Sequence, residues 1–71
     1  MLKYVYFYDS KDREYKMGKA KIEDYKSKNL KLMNSQFIIS ASQVFNTKTE
    51  CINAFNKLEK KLGYFINLKE F

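Results

Sequence analysis

The groups able to do chemistry in this chain of 71 residues are few, and most sit close together. Asp9, Asp12 and Glu14 fall within one polar turn, Glu23 and Asp24 are adjacent, and Cys51 stands alone. Two carboxylates can divide general acid and base work when their surroundings separate their pKa values. Lys11, Arg13 and Lys16 lie among the first three, however, and such a cluster reads as a solvated turn with neutralising neighbours. The chain has no His, so it lacks the side chain that titrates near neutrality and any Ser–His or Cys–His pair. Gly18 and Gly63 are isolated, which excludes a glycine-rich phosphate loop. Cys51 falls in the first turns of a predicted helix, where positive partial charge can lower a thiol pKa, yet its place in the helical period points inward. One Cys without His cannot supply the roughly four ligands of a structural zinc site. The chain therefore reads as non-catalytic, with no metal and no cofactor.

Binding chemistry is better represented. Tyr4, Tyr6 and Tyr8 alternate with Val5 and Phe7, so three phenols share one strand face. A helix laid over Val5 and Phe7 would turn the Tyr row outward, beside Lys16, Lys19, Lys21, Lys26, Lys28 and Lys31. Such a row could stack bases over a charged track. It could equally be a protein interface, where Tyr offers a large rigid area with a polar tip. In a third arrangement the Tyr side chains face the core, or both faces are covered. Fourteen Lys and Arg against eight Asp and Glu give a charge of +6, which favours anionic partners. Arg13 is the only guanidinium, though, and bidentate phosphate or base-edge recognition usually recruits Arg.

Length and composition predict one small domain over residues 1–71, of the size that buries only about 60% of its unfolded surface. Folds this small draw on disulfides, a metal, self-association or a partner. The lone Cys and absent His leave a partner or a homodimer. The N-terminus lacks a small-residue cleavage site, and no run approaches the eighteen or so apolar residues of a membrane span. The expectation is a cytoplasmic chain without a membrane partner, where an unpaired thiol is ordinary.

The elements that position these groups follow from local pattern. LKYVYFY, from Leu2 to Tyr8, is a strand closed by the polar turn DSKDR. EYKMGKAK, from Glu14 to Lys21, returns as a second strand with Gly18 as a bulge or weak point. Ile22 and Tyr25 are three apart in KAKIEDYKSKN, so Lys19 to Asn29 is read as a short helix or a charged loop. LKLM, NS and QFIISASQV make two extended runs around a polar break, the pattern of a hairpin. Phe37, Ile39 and Ala41 share one face of the second run. Ile38, Ser40 and Ser42 share the other, a small polar face open to a partner or a second copy. Thr47 and Glu50 form a capping box ahead of a helix from Lys48 to Leu62. Cys51, Ile52, Ala54, Phe55, Leu58 and Leu62 gather on one side of it, and Gly63 is placed to end it. YFINL then reads as a last strand. The sum is an α+β fold: an antiparallel sheet of three to four strands with one C-terminal amphipathic helix on one face.

The step S-x-x-F-x-T-K at Ser42 to Lys48, followed by Ala54, Phe55 and Leu58, resembles the YegP-like family of short repeat proteins. Asn34 corresponds to the Asn of that family's hairpin, Phe45 to its aromatic position, and Ala54 and Phe55 to its Gly-Ile pair. YVYFYDSKDREYK, from Tyr4 to Lys16, is similar to its first strand and turn. Arg13 departs from the turn Gly of the family. The resemblance implies a three-stranded antiparallel sheet crossed by one helix, and a homodimer where there is a single copy. It implies no activity. The function expected is a small interaction module that occupies a protein or nucleoprotein complex. Its size and A·T-rich coding style suit a phage or mobile-element inhibitor of host nucleic-acid-handling or defence machinery. The alternative is sequence-tolerant nucleic-acid binding through the Lys-rich and Tyr-rich surface. The residues singled out for partner binding are Tyr4, Tyr6, Tyr8, Lys16, Lys19, Lys21, Lys26 and Lys28, with Ser40 and Ser42 as a dimer face.

Overall fold

The computed structural model describes residues 2–33 and 37–71. Strands β1 (Leu2–Asp9) and β2 (Glu14–Asp24) pair antiparallel in unbroken register, from Leu2 opposite Lys21 to Asp9 opposite Glu14. Beyond the end of β1, Ile22 to Asp24 of β2 pair with β3 (Asn29–Leu32), which pairs in turn with β4 (Ile38–Ser40). A two-residue strand, β5 (Val44–Phe45), lines the other side of β1. The order is β4-β3-β2-β1-β5, with helix α1 (Lys48–Leu62) and a last strand, β6 (Leu68–Glu70), that pairs parallel to β2. The α+β architecture, an antiparallel sheet with one helix, is the one the patterning predicts. The strands among the described residues number six rather than three to four, because a 3-10 turn at Ala41–Gln43 splits the run QFIISASQV into β4 and β5 and the last strand joins the same sheet.

The sheet has two apolar faces. On one, Val5 and Phe7 of β1 meet Leu32 and Ile39, with Ala20, Ile22, Leu30, Phe37 and Val44 around them, so the sheet curls over its own core. Burying each such large side chain contributes about 1.5–3 kcal/mol relative to leaving it in water. On the other face lies α1, whose buried Cys51 and Phe55 turn toward the sheet. Phe55 meets Tyr6 and Tyr15 edge-on at 5.7 and 5.5 Å between ring centres. The helix therefore covers the Tyr face of β1, and Val5 and Phe7 are buried by the curl instead.

Local chemistry explains the ends of α1. The backbone N–H of Glu50 donates to Thr47 Oγ1 at 3.2 Å, and that hydroxyl donates to the Glu50 carboxylate at 3.0 Å. The carboxylate thus meets the cap hydroxyl rather than an amide. Gly63, at φ 80°, donates its N–H to the Glu59 carbonyl at 2.9 Å and ends the helix in the left-handed conformation that glycine adopts without penalty. The last strand begins later than expected, with only Leu68 of YFINL in it. The N–H of Ile66 donates to Glu59 Oε2 at 3.0 Å, so the chain is held to the helix and joins the sheet only at Leu68.

Three further expectations are corrected. Lys19 to Asn29 contain no helix, and the loop is confined to residues 25–28: β2 runs on to Asp24, with Ala20 and Ile22 alternating into the curl. The chain then reverses through Ser27 and Lys28, at φ 46° and 67°, closed by the Asn29 N–H on the Lys26 carbonyl at 2.9 Å. Gly18 is no bulge, since it pairs in register with Val5. Ala41 leaves the strand face and begins a 3-10 turn capped by Ser40. The hairpin position assigned to Asn34 lies outside the described residues.

Candidate interaction surfaces

The Tyr row meets three environments. Tyr6 is half-buried under the helix, stacked on Phe45 at 6.0 Å with the rings 12° apart, and burial pushes its phenol pKa up from 10.0. Tyr4 is half-buried with Lys19 Nζ over its ring, 5.9 Å from the centre. Tyr8 is half-exposed and meets Tyr15 edge-on at 5.2 Å. A continuous stacking platform is therefore not present on this strand.

The lysines also divide. Lys16 Nζ lies 2.9 Å from Asp9 Oδ2, 2.5 Å from Asp12 Oδ2 and 3.9 Å from Glu14 Oε1. Asp9 is buried and also accepts the backbone N–H groups of Lys11 and Asp12, at 3.0 and 3.4 Å. The bond from Lys16 holds the Asp9 carboxyl below its ordinary 3.8, and the two aspartates hold the Lys16 ammonium above its ordinary 10.5. This network closes the first turn, so Lys16 is committed to the fold. Lys19 and Lys21 are exposed and share the face of Leu2 and Tyr4 through their register. Lys26 and Lys28 are exposed at the β2–β3 turn, Lys26 over the Tyr25 ring, and Lys31 pairs across from Glu23. Together they make the β2–β3 hairpin a basic arm.

Ser40 and Ser42 are exposed, with hydroxyl oxygens 3.0 Å apart. Ser40 Oγ accepts the Ser42 N–H at 3.3 Å, and the Ser40 N–H donates to Gln43 Oε1 at 3.0 Å. Their polar atoms serve the local turn at the end of edge strand β4.

An aromatic cleft that the sequence reading misses lies where the first turn meets the segment after α1. Tyr8, Tyr15, Tyr64 and Phe65 line it together with Arg13. Tyr64 and Phe65 also wall a second cleft against Asn56, Glu59 and Lys60. Phe65 is 95% exposed and Tyr64 64%. Arg13 is exposed at φ 54°, and Lys16 rather than Arg13 takes the neighbouring carboxylates. The signal available was Tyr64 and Phe65 directly after the helix-ending Gly63; reading them as strand concealed it. Cys51 is fully buried, and burial pushes its thiol up to about 11, so it stays protonated near neutrality.

The chain matches no protein-family model, no curated protein and no solved structure. Among the described residues no helix is long and apolar enough to cross a membrane.

Proposed function

We propose that this chain is a non-catalytic interaction module that occupies a surface of a protein or nucleoprotein complex, with the Tyr8, Arg13, Tyr64 and Phe65 cleft as the docking site. The observation that carries this reading is the exposure of Phe65 beside two half-open Tyr rings and the only Arg of the chain. Aromatic residues and Arg are the types enriched at interface cores and hot spots, and clustered exposed aromatics mark such sites where scattered ones do not. Kinship with the YegP-like family belongs to the same proposal. The step from the short strand Val44–Phe45 through the Thr47 cap into α1 supports it.

The test uses a partner complex captured by the chain and then purified. Phe65→Ala and Arg13→Ala should each weaken binding by about tenfold or more, with binding by the unaltered chain retained at high salt. Unchanged affinity in both variants would sink the reading. Direct nucleic-acid binding through the basic arm is the second reading, favoured by the exposed Lys19, Lys21, Lys26 and Lys28. It requires affinity for a bare oligonucleotide that falls steeply with salt, and lack of affinity at low salt removes it.

A further inference from the structure

Strand β6 differs from the rest of the sheet. It is the only strand among the described residues that pairs parallel, and it does so over three positions: Leu68 beside Tyr15, Lys69 beside Lys16 and Glu70 beside Met17. The N–H of Phe71 extends the ladder by donating to the Met17 carbonyl at 2.9 Å. The strand is reached through an irregular segment after Gly63, exposed except at Ile66, whose N–H is held by Glu59, and its own Lys69 and Glu70 are exposed. Little apolar surface holds it. Besides its backbone ladder, it is held by the ion pair from Lys48 Nζ to Glu70 Oε1 at 3.0 Å and by one notch: a Cβ on Gly18 would lie 2.8 Å from the Phe71 carbonyl oxygen and 2.9 Å from its ring. The Phe71 ring also reaches Phe7, 5.7 Å away between centres. Glycine inside a strand weakens it unless another backbone approaches closely, and here one does.

The geometry points to the Tyr15–Gly18 edge of β2 as a strand-acceptor site, filled in this structure by the chain's own residues 68–71. Its occupant in function is an extended segment of a partner protein that places an aromatic side chain on Gly18. The seated segment is the template for that chemistry: backbone bonds along the β2 edge give affinity, and the notch selects an aromatic residue against a β-branched or charged one. Because the internal segment is tethered, it competes at an effective concentration on the order of millimolar, so a partner must displace it. The edge is thus self-masked. This site shares Tyr15 with the aromatic cleft but does not use Phe65, so the two proposals fail separately.

The test uses full-length chains and a fluorescent synthetic peptide with the sequence Ile-Asn-Leu-Lys-Glu-Phe. Phe71→Ala loosens the internal segment, and this variant should bind the peptide saturably, about tenfold or more tighter than the unaltered chain. Adding Gly18→Ala should abolish that binding, while Phe65→Ala in the Phe71→Ala background should leave it unchanged. The same peptide ending in Ala should not bind. Equal binding by Phe71→Ala and the unaltered chain, or binding that survives Gly18→Ala, overturns the proposal. A dimer of the unaltered chain that Gly18→Ala dissolves would assign the edge to a second copy and overturn the partner assignment.

Discussion

The Phe71 ring occupies the volume in which any side chain at Gly18 would begin, with its atoms 2.9 Å from the position of a Cβ there. Gly18→Ala is therefore expected to displace residue 71 at a cost of about 1–3 kcal/mol, the usual range for an overpacked site. Backbone amide shifts should change at residues 68–71 and at Met17 while those of α1 stay in place. A variant with all amide shifts unchanged would contradict the close approach.

The β2–β3 turn carries Ser27 and Lys28 at positive φ, where a two-residue hairpin turn prefers Asn-Gly. Each L residue forced there is strained by about 1–2 kcal/mol, Gly not at all. Replacing the pair by Asn and Gly should raise stability by about 1 kcal/mol, read as a higher urea midpoint at unchanged slope. A lower midpoint would mean that the turn is not of this type.

Helix α1 starts from a single side-chain oxygen. Thr47→Ala should cost about 1 kcal/mol and Thr47→Ser much less, because the hydroxyl and not the methyl group meets the Glu50 N–H. Equal losses in the two variants would show that the cap is not the source.

Stability should fall at both ends of the pH scale, for different reasons. The Asp9 carboxyl is held below its ordinary 3.8 by Lys16, so its contribution is complete above that pH and is lost as the pH drops through the depressed value. The Cys51 thiol is raised by burial from 9.0 to about 11, so its contribution is complete below pH 9 and is lost as the pH climbs toward 11. Tyr6, raised above 10.0, adds to the alkaline loss. Urea midpoints across pH should show Asp9→Asn flattening the acid limb and Cys51→Ala flattening the limb above pH 9. The Cys51 thiol should also resist a thiol reagent until the chain unfolds, and rapid labelling of the native chain would refute its burial.

What the sequence made legible was local. Thr47, Glu50 and Gly63 fix the limits of α1 within a few residues of themselves, so both ends of the helix were readable. The first hairpin was readable too, since Leu2 to Tyr8 and Glu14 to Lys21 carry their own pattern around one turn. Partners distant in the chain were not. Whether the helix would cover Val5 and Phe7 or the Tyr row depends on a sheet that curls, which no alternation in β1 can state. The pair Ile22 and Tyr25 suggested a helical turn, while Ala20 and Ile22 in fact continue a strand whose core partners, Leu32 and Ile39, come later. The aromatic cleft was hidden because it joins Tyr8 and Arg13 to Tyr64 and Phe65, from opposite ends of the chain. The Tyr and Lys positions singled out beforehand divide between scaffold, as with Tyr6 and Lys16, and open surface, as with Tyr8, Lys19, Lys21, Lys26 and Lys28.

Strand β2 serves both apolar layers at once: Tyr15 and Met17 face α1, and Gly18, Ala20 and Ile22 face the curl. Its reading frame is therefore shared property. Inserting or deleting one residue between Met17 and Gly18 would exchange the two sets beyond that point, turning Lys19 into the curl and Ala20 out to solvent. Evolution of this chain can lengthen the turns at either end of β2, but within it only substitutions keep both layers intact.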